Sequence, residues 1–200
     1  SADAVNITVN GVSAHPGFAK DKMESAIKVA AKIIDSLPKD SLSPETTEGK
    51  EGFIHPVGIN GAVEQATMQF IIRSFTTPGL ENLEKQLKEI TTKVMEAHPK
   101  CSHDFEVIEQ YRNMKEVLDK YPYVISNAEK AIIRTGVEPI KSSIRGGTDG
   151  SRFSFMGLPC PNIFAGEHAF HSKEEWVSVQ DMEKAAETIV HLSMIWEENA

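Results

Sequence analysis

The chain has 200 residues, enough for one large domain or two small ones, and its 40% hydrophobic and 25% charged residues are ordinary for a globular protein. The formal net charge of −8 argues against a nucleic-acid-binding protein, which usually carries a basic patch. Cys101 and Cys160 give no disulfide framework and fit a reducing, cytoplasmic setting. No stretch is long and apolar enough to cross a membrane, and no signal peptide precedes the first predicted strand.

The first part of the chain predicts three strands and a helix. Alternating apolar residues predict a strand over residues 3–10, and apolar residues at helical spacing predict a helix over residues 20–37. After a polar loop, two further strands are predicted over residues 53–60 and 62–75. They are joined by a turn at Asn60-Gly61, a dipeptide that favours tight hairpins.

The next two elements complete a recognisable order. A helix is predicted over residues 80–97 and a strand over residues 103–111. The resulting βαββαβ order is the ferredoxin-like motif, which predicts a four-stranded antiparallel sheet with both helices on one face. The character of the sequence changes near Asn113, so we place a domain boundary between residues 1–112 and residues 113–200.

The second part of the chain contains fewer elements than an independent α/β domain usually has. Helices are predicted over residues 123–135, 149–155 and 179–198, and a short strand over residues 162–165. Thr148 and Asp149 are suited to cap the middle helix. The apolar residues of the last helix fall on one side: Met182, Ala186, Ile189, Val190 and Met194.

A run of histidines and glutamates follows the predicted strand over residues 162–165. In open α/β sheets, ligands bind just beyond the carboxyl ends of the strands. Imidazole and carboxylate groups together suit zinc or a related divalent metal, but two histidines without cysteine do not make a closed structural site. A solvated loop with two surface histidines therefore remains an alternative. The residues of the run are Glu167, His168, His171, Glu174 and Glu175.

A second candidate binding segment is Arg145-Gly146-Gly147. Its guanidinium can form two parallel hydrogen bonds to a carboxylate, which a lysine cannot reproduce. The two glycines let the backbone come close to a ligand. The alternatives are an arginine in a structural ion pair and glycines that only form a tight turn.

These segments resemble the M20 family of co-catalytic zinc peptidases, and within it the tripeptide aminopeptidases. The run RGGTDGSRFSFMGLPCPNIFAG with the following HAFHSKEEWV, over residues 145–177, resembles the family's C-terminal catalytic segment. The run VNGVSAHPG, over residues 9–17, resembles the opening of its lid (dimerisation) domain, and YRNM over residues 111–114 also fits. The resemblance covers essentially the whole chain in family order. It implies a ferredoxin-like lid domain followed by the C-terminal part of an α/β catalytic domain.

The resemblance also implies roles for particular residues. His171 would bind one of two zinc ions, whereas His168 is less favoured. His15 would reach the active site of a partner subunit and hydrogen-bond the developing oxyanion of the substrate. Arg145 would bind the C-terminal carboxylate of a small peptide, and the backbone N–H groups of Gly146 and Gly147 would face the substrate. Asn113 is a weaker candidate for a substrate contact.

The chain has no counterpart of the family's N-terminal motifs, which supply the first His-x-Asp ligand pair, the bridging Asp, the catalytic Glu and a further Asp ligand. We therefore expect a fragment that is inactive alone and that would need the missing N-terminal half of the catalytic domain as its partner. A homodimer through the lid domain is also expected, and neither nucleic acid nor membrane is. Two alternatives remain: a non-catalytic dimerisation module, and an M20 amidase or dipeptidase acting on acylated amino acids. The RGGTDG and PCPN runs favour the aminopeptidase.

Overall fold

The computed structural model describes residues 1–199, which form two compact units. The first is Ser1–Asn113, and the second begins at Met114. The first unit contains a sheet of four antiparallel strands in the order β2-β3-β1-β4, with two helices packed on it. Its elements, in chain order, are β1 (Ala2–Asn10), α1 (Ala26–Asp35), β2 (Phe53–Gly61), β3 (Gln65–Arg73), α2 (Thr77–Glu96) and β4 (Ser102–Tyr111). The predicted ferredoxin-like fold is confirmed.

The core of the first unit lies between the sheet and the two helices. Val5, Ile7 and Val9 alternate along β1 and are fully buried, as the sequence pattern predicts. They pack in one cluster with Ile33 of α1 and Leu87 of α2. Each such side chain contributes about 1.5–3 kcal/mol when it is fully buried, so this alternation is a principal source of the unit's stability.

The hairpin between β2 and β3 turns later than predicted. β2 continues through Asn60-Gly61, and the turn closes where the Ala62 N–H donates to the Gln65 carbonyl at 2.7 Å. The carbonyls of Val63 and Glu64, inside this turn, accept backbone hydrogen bonds of 2.9 and 2.7 Å from the segments flanking the β1–α1 loop. The Asn-Gly prediction was therefore wrong in position because contacts distant in sequence fix the turn.

The first helix is shorter than the predicted span of residues 20–37. It begins at Ala26 because the preceding backbone is engaged elsewhere. The Glu24 N–H donates to the Val12 carbonyl at 2.9 Å, and the Val12 N–H donates to the Glu24 carbonyl at 2.8 Å. This isolated bridge closes the base of the loop between β1 and α1.

A buried charged cluster lies at the start of β1. Asp3, which is only 2% exposed, accepts two hydrogen bonds from the Arg112 guanidinium, at 2.6 and 3.3 Å. Burial acts to raise the pKa of Asp3, but hydrogen bonds from Arg112 and Glu84 outweigh it and hold that pKa below its usual value. Burial, with the adjacent Asp3 carboxylate, raises the pKa of Glu84 to about 7. The protonated Glu84 therefore donates to the ionised Asp3.

The second unit is mainly helical. Two of its helices, α4 (Pro122–Arg134) and α6 (Val179–Glu198), pack against each other. A two-stranded hairpin comes before α6 in the chain. The three predicted helices are confirmed within one residue at each end. The elements are α3 (Lys115–Leu118), α4 (Pro122–Arg134), α5 (Asp149–Phe155), β5 (Glu167–His168), β6 (Trp176–Val177) and α6 (Val179–Glu198). No helix within residues 1–199 combines the length and the hydrophobicity needed to cross a membrane.

Two expectations for the second unit were wrong. Residues 162–165 do not form a strand, because no strand among residues 1–199 lies beside them to supply the ladder hydrogen bonds. Thr148 occupies the cap position of α5 but makes no capping hydrogen bond. Its hydroxyl instead accepts a hydrogen bond of 3.2 Å from the Asn162 amide.

The apolar side of α6 is exposed in this chain. Thr188 and Ile195 are the residues of α6 that are buried. The side that the sequence marks as apolar includes four residues whose exposed fractions lie between 48% and 59%: Met182, Ile189, Val190 and Met194. Several exposed apolar residues on one side of a helix are typical of an interaction site.

Gly166, the residue before β5, packs closely against α6, and its φ of 81° lies in the left-handed region. A Cβ added there would overlap the Cβ of Asp181 in the first turn of α6. The Ser178 hydroxyl accepts from the Asp181 N–H at 3.0 Å and caps that helix. Gly166 is therefore required both by its backbone conformation and by close packing.

We expect Glu84→Gln to change how stability depends on pH. A raised carboxyl pKa stabilises the folded state below the unfolded value of 4.5, and this stabilisation is lost as pH rises through about 7. The Gln variant should match the parent near pH 5 and be more stable at pH 8, by about 1–2 kcal/mol after allowance for partial exposure. Hydrogen exchange of the β1 amides measures this free energy. Glu96→Gln, exposed on the same helix, is the control, and equal pH dependence in all three proteins would contradict the prediction.

We expect Gly166→Ala to destabilise the second unit more than Gly136→Ala. Gly136 has nearly the same φ, 78°, but no described atom beyond its chain neighbours lies within 4 Å of an added Cβ. The Gly136 variant should lose about 1–2 kcal/mol from left-handed strain alone. The Gly166 variant should lose about 1–3 kcal/mol more from overlap with Asp181. Urea unfolding followed by fluorescence reports this unit, since Trp176 and Trp196 both lie in it. Equal losses would show that Asp181 does not constrain the hairpin.

Candidate functional site

The loop between β1 and α1 presents His15 on the surface of the first unit. His15 precedes a short 3-10 turn, Pro16–Phe18, and its Nδ1 accepts a hydrogen bond of 3.1 Å from the Gly17 N–H. A neutral imidazole that accepts at Nδ1 carries its proton on Nε2. His15 is thus held as an exposed Nε2–H donor, with the ring of Phe18 centred 5.4 Å away.

Asn113 lies at the end of the first unit. Its side-chain amide donates to the Phe75 carbonyl at 2.9 Å, and its backbone N–H donates to the Ser1 hydroxyl at 3.1 Å. These two hydrogen bonds hold the end of the first unit, at Asn113, beside Ser1 and Phe75. Asn113 therefore has a structural function in this unit, whatever further contact it makes.

In the second unit, Arg145-Gly146-Gly147 lies in an irregular segment before α5. Arg145 is half-buried, and both glycines are exposed. Gly146 does not have a positive φ, and apart from its two chain neighbours no described residue lies within 4 Å of where its Cβ would stand. Neither backbone conformation nor packing within residues 1–199 therefore requires glycine at position 146.

His171 lies at the tip of the β5–β6 hairpin in a left-handed conformation, with φ of 63°. Its backbone N–H donates to the Glu175 carboxylate at 2.8 Å, which holds this conformation. Ala169 is also left-handed, with φ of 54°. Two non-glycine residues of this kind are unusual and are more frequent at functional sites. The His171 side chain is exposed.

A ring stack supports the same hairpin. His168 and Trp176 are paired across β5 and β6, and their rings stack with centroids 4.3 Å apart and an interplanar angle of 14°. Cross-strand aromatic pairs stabilise short antiparallel ladders. His168 is therefore engaged in the packing of the hairpin.

The predicted histidine and glutamate run does not form a metal site by itself. Among residues 1–199, no group of three His, Cys, Asp or Glu side chains is arranged to hold a metal ion. Zinc in proteins needs three or four protein ligands. The residues present thus do not fit a complete zinc site, and His171 could supply only one imidazole to a larger one.

Sequence reasoning missed the groups that hold the two histidines in place. The sequence suggests Glu175 as a possible ligand, but in the structure its carboxylate accepts a hydrogen bond from the His171 backbone N–H. Glu24, whose backbone closes the His15 loop, was not singled out. Its carboxylate lies 3.0 Å from the ring of His98, more than seventy positions away in sequence. No local pattern indicates such a contact.

Comparisons with known proteins agree with this architecture. Residues 1–101 match the peptidase dimerisation domain of the M20 family. Peptidase T of Parabacteroides distasonis is 44% identical over 192 residues, which are 96% of this chain and 47% of that protein. A Clostridium botulinum peptidase T is 44% identical over 98% of this chain and 48% of its own length. The chain thus spans about half the length of the curated relatives it matches.

Solved structures show the same fold. Aminopeptidase PepT from Bacillus cereus superposes with a TM-score of 0.73 at 23% identity, over 96% of this chain and 50% of that one. A Bacillus subtilis protein described as a dinuclear metal-binding peptidase of the M20 family gives a TM-score of 0.62 at 14% identity, over 100% of this chain and 51% of that one. On the domain match over half its length, the chain belongs to the M20 peptidase family.

Proposed function

We propose that this chain is the lid domain, residues 1–112, and the C-terminal part of the catalytic domain, residues 113–200, of a zinc-dependent tripeptide aminopeptidase. The observation that carries this proposal is the 44% identity to peptidase T, which extends across both units. At that level of identity over 96% of the chain, a shared fold and a shared site are expected. The reaction is hydrolysis of the first peptide bond of a small peptide.

His15 is the proposed catalytic group of the first unit. Its Nε2–H is directed by the hydrogen bond that Nδ1 accepts from Gly17. A neutral imidazole fixed in this tautomer can donate to the carbonyl oxygen of a substrate as negative charge develops on it. The proposed site lies in the partner subunit of a homodimer, so an exposed loop is the geometry that this function requires.

Arg145, Gly146 and Gly147 are the proposed carboxylate-binding segment. The guanidinium binds the C-terminal carboxylate of the peptide in a bidentate manner. Position 146 holds a glycine although neither its φ nor the packing around it among residues 1–199 requires one. A substrate that comes close to this backbone would explain the glycine, because it leaves no room for a side chain. Asn113 remains a predicted substrate contact.

His171 is the proposed metal-binding residue of this chain. The zinc ions would polarise the scissile carbonyl and activate water in the complete enzyme. The remaining ligands and the catalytic Glu are proposed to lie in a further segment that forms the N-terminal half of the catalytic domain. The exposed apolar side of α6 supports this, since exposed apolar residues on one side of a helix are typical of an interaction site.

Dimerisation is the second proposed property of the chain. The match of residues 1–101 to a peptidase dimerisation domain supports a homodimer through the first unit. Both β2 and β4 are edge strands of the sheet, and their outer backbone groups are able to pair with another strand. A dimerisation module without catalysis is the alternative, and it would share the domain match without the hydrolytic activity.

A cytoplasmic location is proposed from the cysteines. Cys101 and Cys160 are both free and half-buried. Free thiols persist in a reducing compartment, whereas secreted proteins of similar size often contain disulfides.

The complete gene product should hydrolyse tripeptides faster than dipeptides or N-acyl amino acids. A chelator should abolish the activity and zinc should restore it. His15→Ala should lower kcat by about a hundredfold or more, as for loss of an oxyanion donor. His103→Ala, on strand β4, is the matched control. A preference for acylated amino acids would show that the enzyme is an amidase and not an aminopeptidase. No hydrolysis of any of these substrates would support the non-catalytic dimerisation module.

If Arg145 binds the substrate carboxylate, the effect of removing that carboxylate should depend on whether Arg145 is present. Amidation of the C terminus of a tripeptide should lower kcat/KM of the parent enzyme by about ten- to a hundredfold, because a charge-assisted bidentate pair is lost. In Arg145→Ala, the free and amidated peptides should be hydrolysed at similar rates. An amidation effect of equal size in both proteins would assign the carboxylate to another residue.

A further inference from the structure

The His15 loop, residues 11–25, has little apolar contact of its own. Most of residues 12–22 are exposed, and Phe18 is 71% exposed. The 3-10 turn at Pro16–Phe18 contains no buried residue. The position of this loop therefore depends on polar contacts to the body of the first unit, since burial of apolar surface does not fix it.

Glu24 makes contacts on both sides of this loop. Its backbone pairs with Val12, at the start of the loop, through two hydrogen bonds. Its side chain reaches the turn between α2 and β4, where one carboxylate oxygen lies 3.0 Å from His98 Nδ1 and the other accepts from the Lys100 N–H at 2.8 Å. The Cys101 thiol also lies 3.9 Å from the Glu24 carbonyl. We call this set of contacts the Glu24 clasp.

In the Glu24 clasp, the Glu24 carboxylate is ionised and accepts hydrogen bonds. The Glu24 side chain is only 18% exposed. Burial acts to raise the pKa of Glu24, but hydrogen bonds from His98 and Lys100 outweigh it and hold that pKa below its usual value. An ionised carboxylate only accepts hydrogen bonds, so the His98 proton lies on Nδ1. Hydrogen bonds to a charged acceptor are stronger than those between neutral groups.

A second contact joins the same two segments. The Lys100 side-chain amine donates to the Asp21 carbonyl, three residues before Glu24. The loop is thus tied to the α2–β4 turn at residues 21 and 24 and to its own start at Val12. His15 lies between these attachment points.

We propose that Glu24 is a positioning residue for His15: the clasp fixes the loop so that the His15 imidazole is held in place when the loop meets a substrate. The proposal rests on the proposed oxyanion role of His15 and adds a residue to it. Glu24 itself does not touch the substrate. Its effect is to reduce the number of loop conformations, which should influence the rate of the chemical step more than substrate binding.

Two measurements test this proposal. The first is amide hydrogen exchange of residues 12–24 in the 200-residue chain, for the parent, Glu24→Ala and Glu24→Gln. We expect Glu24→Ala to speed exchange in this loop by about tenfold or more while the amides of β1 keep their protection. Glu24→Gln should give a smaller effect, because its amide oxygen accepts one of the two hydrogen bonds without the charge. Glu89→Ala, in an exposed ion pair on α2, is the control and should leave the loop unchanged.

The second measurement is steady-state kinetics of the complete gene product. Glu24→Ala should lower kcat by about ten- to a hundredfold with little change in KM. Unchanged loop exchange in Glu24→Ala would overturn the proposal, and so would faster exchange without a fall in kcat when His15→Ala does lower kcat. If His15→Ala leaves kcat unchanged, the oxyanion role fails and the catalytic half of this proposal fails with it. The exchange data then still decide whether Glu24 orders the loop.

Discussion

The double pairing of β1 is the constraint on which the first unit depends. β1 is hydrogen-bonded to β3 along one edge and to β4 along the other, so that it lies inside the sheet. The alternation of buried and half-buried residues along it fixes the register, since a slip by one residue would turn Val5, Ile7 and Val9 away from the helices. Distinctive polar features lie at both ends of this strand. The buried Asp3–Arg112 pair lies at its start, and the His15 loop leaves from its end.

Local periodicity was sufficient to predict most of this fold. Period-two alternation identified β1, and period-3.6 patterns identified α2, α4 and α6, the last with the bounds Val179–Glu198 that the structure has. In the first unit, the errors occurred where backbone groups form hydrogen bonds with partners remote in sequence. The β2–β3 turn is moved past Asn60-Gly61 by partners near Gly11 and Ala26. Such partners are contributed by segments remote in sequence, so neither propensity nor spacing reveals them.

In the candidate site, too, the sequence predicts which residues take part but not how they are oriented. Sequence motifs pointed to His15, Arg145 and His171, but they carried no information on the conformations that these residues adopt. The tautomer of His15 follows from its bond to Gly17, and the left-handed backbone of His171 from its bond to Glu175. Each is a side chain-to-backbone contact whose geometry depends on the local turn. A residue type can therefore be predicted from a motif, while its orientation requires the fold.

The second unit carries two features that are incomplete in the same sense. A single imidazole cannot hold zinc, and α6 packs one side on α4 while Ile189, Val190 and Met194 on the other side stay exposed. Residues 162–165 add a third such feature, since they match a strand pattern but have no strand beside them within residues 1–199. The proposed metal ligation, the packing of α6 and strand pairing by residues 162–165 are independent interactions, and each would need groups other than those of residues 1–199. One further segment of polypeptide could satisfy all three. This is why we infer that catalysis belongs to a larger assembly than this chain.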